Sequence, residues 1–261
     1  MITLHRQHTE YGEITILRSR DTGSCIYNQG GSCQSEADSR GVSLASYVHA
    51  IHGLVAQCAA KSVVVIGCGG GTLATMLTYI GMSVSVVDVN PTSIDLARRY
   101  FSLPAGVPFH LGDGKAFLIE SEATFDAIVV DAFVGHVIPA HFRSPDFFAT
   151  VRRRLTPNGV VLFNVHVAHD LDPGADLVGA AMTHAGVPVW VLDTPGVLNR
   201  NSIVLGGAVS GLDKPRLMIP PEVSAAQIAE ELDRMSFRPC RQLPAEPGLK
   251  IGTCKSTAFF P

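Results

Sequence analysis

No uninterrupted apolar run in the sequence approaches the ~20 residues that span a bilayer, so no membrane-spanning helix is expected. The opening residues, MITLHRQHTEYG, lack a basic stretch followed by an apolar core, so no secretory signal is expected either. Charge is scarce: 16% of residues are Asp, Glu, Lys or Arg, below the ~25% of an ordinary globular domain. The net charge is −3, and no basic run exceeds Arg152-Arg153-Arg154, which reads as a solvated helix face. That balance argues against nucleic acid as a partner. The six cysteines (Cys25, Cys33, Cys58, Cys68, Cys240 and Cys254) form no C-x-x-C pair and read as reduced thiols of a cytoplasmic protein. Cys25 and Cys33 alone could face each other across a hairpin.

Apolar material is plentiful, at 46% of residues, enough for a buried core. The length suits one α/β domain with a small appendage, or two small domains. The first ~45 residues read as a meander of hairpins. EITILRS (Glu13 to Ser19) alternates apolar and polar, DTGS is turn chemistry, and CIYNQGGSCQSE gives a strand, a Gly30-Gly31 turn and a short return strand. From Leu44 to Ala60 the apolar spacing becomes helical. Beyond Lys61, strands are expected at 63–66, 84–88, 108–111, 127–131, 160–165, 187–192 and 202–205. Helices are expected near 73–80, 92–101, 114–119, 145–155 and 175–185. Such alternation means a mostly parallel sheet with helices on both faces. Ser224 and Gln227 make a capping-box signal before the amphipathic stripe Ile228, Leu232, Met235, and the tail from Pro239 reads as irregular.

The segment KSVVVIGCGGGTLATML, Lys61 to Leu77, turns the reading toward nucleotides. Gly67, Gly69 and Gly71 let a backbone turn tightly against a ligand. G-x-G-x-x-G counted from Gly67 ends on Thr72, so the dinucleotide fingerprint fits poorly, and no Gly-Lys-Ser/Thr exists for a phosphate loop. G-x-G-x-G suits a nucleoside without pyrophosphate. Asp88 closes the second strand, about 20 residues after Gly67, where a carboxylate takes the ribose hydroxyls of NAD or of S-adenosylmethionine alike. Asp113, in HLGDG, stands where it could accept from an adenine amino group, and Asp131, in AIVVDAF, ends the next strand. Each acid alone could equally be a helix N-cap. In register at three strand ends they outline a nucleoside site with one carboxylate left over.

The chain as a whole resembles the spermidine synthase family of aminopropyltransferases, from about Tyr11 to Leu205. YGEITIL and IYNQGGSCQS are similar to the family's N-terminal hairpins, VVVIGCGGGTL to its glycine loop, VVDVNP to its ribose strand and GDGKAFL to its adenine loop. FDAIVVDAF with FFATVRRRLTPNGVVLFNV is similar to its catalytic loop and the helix and strand that follow. The resemblance implies an α/β fold: a Rossmann-like class I SAM-dependent transferase sheet with helices on both faces, over residues 46–261. A small N-terminal β-hairpin domain, residues 1–45, precedes it. It implies that Gln34, Gly67, Gly69, Gly71, Asp88, Asp113 and Gly114 hold the nucleoside, and that Tyr47 and Asp131 serve the reaction. It implies S-adenosylmethionine or its decarboxylated form as co-substrate, a small-molecule amine as acceptor, and a homodimer or homotetramer. Three positions depart from the family's pattern. Gly70 stands for an Asp of the glycine loop, Val134 for the second Asp of D-x-x-D, and His49 for the Glu of Y-x-E. Burying ammonium groups without such partners costs several kcal/mol each, which argues against putrescine and the decarboxylated donor.

The implied reaction is substitution at a carbon bonded to sulfonium sulfur, where protein supplies positioning and a proton acceptor. Asp131 is the candidate to orient or deprotonate an amine, with apolar neighbours Ala132, Phe133 and Val134 to raise its pKa. His136 or His141 could replace the missing acid as a base, although both also read as ordinary loop residues. His166, His169 and Asp170 suggest a metal only superficially, because residues three apart on a strand face opposite sides, so no metal is expected. Phe133 and Trp190 read as core. A methyltransferase using intact S-adenosylmethionine, favoured by Gly70, and a catalytically silent nucleoside-binding protein are the alternative readings.

Overall fold

The computed structural model describes residues 1–133 and 137–242. Val134 and His136, and with the tail Cys254, lie outside the described residues.

The fold is organised by β5 (Ser62–Ile66), the strand that ends in the glycine loop. It is flanked on both sides by parallel neighbours, so both faces are covered and its residues are continuously apolar rather than alternating. Val63 and Val65 enter one core cluster with Ile51, Leu54 and Leu77, and Val64 and Ile66 enter the other with Phe147 and Phe148. The period-two alternation of a strand thus divides one valine run between two helical layers.

Around it lie β6 (Ser83–Asp88), β7 (Phe109–Leu111), β8 (Phe125–Val130) and β9 (Leu155–Val167), then β10 (Val189–Asp193), β11 (Arg200–Gly207) and β12 (Ser236–Arg238). The spatial order is β12-β10-β11-β9-β8-β5-β6-β7. β9-β8-β5-β6-β7 is parallel, whereas the pairings of β9 with β11, β11 with β10 and β10 with β12 are antiparallel, so β11 and β12 run against the other six strands. The chain leaves β5 toward β6 and β7 and then crosses to β8 on the other side. That reversal opens a crevice at the carboxyl ends of β5 and β8.

The helices are α1 (Ser46–Gln57), α2 (Thr72–Tyr79), α3 (Pro91–Tyr100), α4 (Gly114–Glu120), α5 (Pro145–Arg154), α6 (Gly174–His184) and α7 (Ala225–Arg234). Asn90 caps α3 by accepting from the Thr92 amide at 3.0 Å, with Pro91 in the first turn. Such a cap contributes about 1 kcal/mol. The capping box at α7 does not form: Ser224 has φ 61° and makes no cap bond, and Gln227 donates to Glu231 instead. A capping serine needs extended backbone to reach back over the first turn, and a left-handed residue aims its side chain elsewhere. Arg152 and Arg154 of α5 spend their guanidinium groups on the carbonyls of Ala185, Leu118 and Ile119.

The N-terminal sheet is a meander, β1 (Ile2–Thr9), β2 (Gly12–Arg18), β3 (Cys25–Gln29) and β4 (Ser32–Ala37), in that spatial order. β1 is an additional strand that the sequence reading did not assign. Cys25 lies opposite Ala37 and Cys33 opposite Asn28, and both thiols are free. Ile14, Ile16, Tyr27 and Ala37 pack with Leu96 and Phe101 of the α3 region, fixing this sheet over the glycine loop. Among the described residues no helix is long and apolar enough to cross a membrane.

Candidate active site

The glycine loop is held by backbone geometry that few side chains tolerate. Gly67 has φ +100°, and a Cβ there would stand 2.1 Å from the Asp131 carbonyl oxygen. Gly69 has φ +49°, with Ser35 Oγ 2.8 Å from where its Cβ would be. Gly71 is the left-handed residue that opens α2. Ser35 on β4 accepts from the Gly70 amide at 2.9 Å, so the N-terminal sheet is hydrogen-bonded to the loop. A Cβ at Gly70 would meet Phe101 at 2.9 Å and Ser35 Cβ at 3.0 Å, and Gly70 lines neither cavity described below. The absent Asp at this position therefore says little about the ligand.

Two joined cavities lie at the carboxyl edge of the sheet. One, of about 320 Å³, contains Asp88, Asn90, Asp113 and Gly114 with Tyr11 and Tyr27 of the N-terminal sheet. The other, of about 290 Å³, runs between β4 and α1 and contains Glu36, Tyr47, Gly71, Asn164, His166 and Asn201. Gln34, Gly67, Cys68, Gly69, Asp131 and Phe133 line both. All nine residues proposed from sequence thus meet in one composite site. Phe133, expected in the core, faces the junction.

Asp88 accepts from the amides of Cys68 (2.7 Å) and Asn90 (2.8 Å). Burial pushes its carboxyl up from the usual range, and those backbone bonds oppose the rise. Asp113 is the N-cap of α4: Oδ1 accepts from Lys115 and Ala116, both at 3.0 Å. Its Oδ2 lies 2.8 Å from His141 Nε2. His141 is therefore bound to the nucleoside-side wall rather than held free as a base.

Asp131 follows β8, and its own amide donates to the Ile66 carbonyl at 2.8 Å. Its Oδ1 accepts from Asn164 Nδ2 at 2.7 Å and its Oδ2 from the Tyr47 hydroxyl at 3.2 Å. Burial raises the Asp131 pKa, and the two donors counteract it. Tyr47 is pushed well above the ordinary phenol value, first by burial and then by the Asp131 charge, so it remains a donor. His49 is turned away, buried, with Nε2 donating to the Ser43 carbonyl at 2.7 Å. His166 lines the second cavity, whereas Asp170 pairs with Arg200 at 3.0 Å. Among the described residues no three His, Cys, Asp or Glu side chains group as metal ligands.

Asn164, Asn201, Glu36, Tyr11 and Tyr27 were not singled out from sequence. Asn164 leaves a trace, as an amide interrupting the apolar run of β9 near its carboxyl end. Among the described residues four carboxylates line the two cavities, Glu36, Asp88, Asp113 and Asp131, and no Lys or Arg does.

A family model described as a methyltransferase domain matches residues 63–159. A probable polyamine aminopropyl transferase of Bifidobacterium longum is 33% identical over 149 residues, 54% of this chain and 33% of its own length. A polyamine aminopropyltransferase of Chromobacterium violaceum is 38% identical over 109 residues, 40% of this chain and 42% of its own. The chain thus spans less than half the length of these curated relatives. A probable spermidine synthase from Corynebacterium glutamicum superposes with a TM-score of 0.71 at 19% identity, over 96% of this chain and 98% of that one. With both sheets accounted for in that superposition and the glycine loop and strand-end acids inside the matched region, the chain has the fold of a spermidine synthase and is similar in sequence to polyamine aminopropyltransferases.

Proposed function

We propose that the protein transfers an aminopropyl group from a decarboxylated sulfonium nucleoside to an amine. The observation that carries this reading is the charge of the site, four carboxylates with no described Lys or Arg. A sulfonium, an aminopropyl ammonium and an amine acceptor are all cationic, and each gains from such walls. Intact S-adenosylmethionine would bring a further carboxylate among these acids, with no Lys or Arg among the described lining residues to receive it. The departures from the family's acids are balanced in part by Glu36, whose carboxylate accepts from Ser24 at 2.6 Å and forms no ion pair among the described residues.

Asp88 suits the ribose hydroxyls and Asp113 the adenine edge, with the glycine loop against the nucleoside. The sulfonium would then lie near the junction where Asp131 stands. The amine nitrogen attacks the propyl carbon, a C–N bond forms, and the C–S bond breaks. Its electron pair returns to sulfur, leaving neutral 5′-methylthioadenosine. The proton lost by the amine passes to Asp131 or to water. The aminopropyltransferase names of the aligned relatives support the same reaction. The reading includes a cytoplasmic homodimer or homotetramer, supported by free thiols and by the resemblance, and light scattering reads the assembly directly.

Product mass spectrometry tests the reaction. With decarboxylated donor and a panel of amines, one amine gains an aminopropyl group and 5′-methylthioadenosine accumulates. Methylated products from the intact donor alone would replace this reading with a methyltransferase.

A further inference from the structure

The second cavity contains an amide pair whose Asn164 end is oriented by an ionised Asp131. Asn164 Nδ2 donates to Asp131 at 2.7 Å, and Asn164 Oδ1 accepts from Asn201 Nδ2 at 2.9 Å. An ionised carboxylate only accepts, whereas an amide has one donor end and one acceptor end. Turning the Asn164 amide over would set oxygen against oxygen at Asp131, and with Asn201 as it stands nitrogen against nitrogen there. Asn164 is buried, so a misdirected end gives up its protein partner with little exposed surface to replace it. The two asparagines sit on adjacent antiparallel strands: Asn164 on β9 pairs with Ile203 of β11, two residues from Asn201. They are diagonal neighbours on one face, within side-chain reach.

We infer that Asn201 is a positioning residue that, by donating to Asn164, steadies the amide end facing Asp131 and so helps to keep Asp131 ionised and fixed at the junction of the two cavities. Asn201 acts through Asn164, and Tyr47 supplies the second donor from the opposite side, on α1. The other titratable groups of the second cavity are Cys33 and Glu36 on β4 and His166 on β9. Across the glycine loop stand Cys68, Asp88, and the Asp113–His141 pair. None of these bonds to Asp131, so the two donors distinguish its environment from theirs.

The inference rests on the proposed reaction for its consequence, but its test does not require turnover. The Asp131 carboxyl can be titrated in the resting protein by ¹³C NMR, with Asp131→Asn to assign the signal. Asn201→Leu removes the donor and leaves the Asn164 amide held only by Asp131. The midpoint of Asp131 is expected to rise by about one pH unit, as loss of a stabilising hydrogen bond requires. The acidic limb of the turnover profile is expected to rise with it, and Asn201→Gln, which keeps a donor, is expected to restore both. Asn164→Leu sets the full size of the shift, and Asn201→Ala, which also lacks a donor, replaces the leucine variant if that does not fold. An Asp131 midpoint unchanged in a folded Asn201 variant would overturn the inference. A raised midpoint with an unmoved turnover limb would uphold the inference and count against Asp131 as the base of the proposed reaction. Failure of the proposed reaction reads differently: the unsubstituted protein gives no alkylated amine while its titration is still measurable.

Discussion

His52 offers a prediction whose size follows from its surroundings. It lies on α1, fully buried, and neither ring nitrogen makes a well-formed hydrogen bond among the described residues, the Met76 backbone being its nearest partner. Burial, with the nearby His49 adding to it, lowers its pKa from the ordinary 6.5 to about 4. A histidine whose pKa is depressed by folding costs nothing extra above pH 6.5, where both states are neutral. Below that the unfolded chain takes up a proton that the folded protein refuses, and stability falls until about pH 4. The difference of roughly 2.5 pH units corresponds to about 3 kcal/mol. His52→Met fills the same space without a titrating group. Urea denaturation of both proteins between pH 7.5 and 4.5 should therefore give a stability difference that grows in favour of the variant by about 2–3 kcal/mol as pH falls. Because both chains share every other acid and base, the difference isolates His52. A difference that stays constant across this range would refute the reasoning.

The glycine loop gives a contrasting pair. Gly67→Ala places a methyl group 2.1 Å from the Asp131 carbonyl at a φ of +100°, so turnover should fall at least about 100-fold with nucleoside binding weakened, as calorimetry and rate measurements would read. Gly70→Asp should not supply a new amine contact; it should lower stability by about 2–3 kcal/mol through Phe101 and Ser35, visible as a lower melting temperature, with no tighter binding of amines.

The parallel half of the sheet was legible because strands covered on both faces need continuous β-branched runs, and Val63–Ile66, Val84–Asp88 and Ala127–Val130 are such runs. The acids at their ends were legible for the same reason: once the strands are placed, Asp88, Asp113 and Asp131 fall on one edge. β1 was not, because ITLHRQHT is mostly polar and its strand lies at a sheet edge with largely exposed residues. Strand direction was not legible either, since a run such as VWVLD reads the same whether β10 is parallel or antiparallel to its neighbours. The amide pair behind Asp131 leaves almost no trace: Asn164 and Asn201 are 37 positions apart, and no spacing rule connects them. Gly70 shows the opposite error. Its sequence meaning came from a missing acid, while its structural meaning is close packing under Phe101.

The central claim is that the site is built for a nucleoside without a carboxylate, and calorimetry on the two donor products tests it most directly. 5′-Methylthioadenosine should bind at least tenfold more tightly than S-adenosylhomocysteine, whose carboxylate would enter a site lined by Glu36, Asp88, Asp113 and Asp131 with no described cation. Equal or tighter binding of S-adenosylhomocysteine would contradict the account.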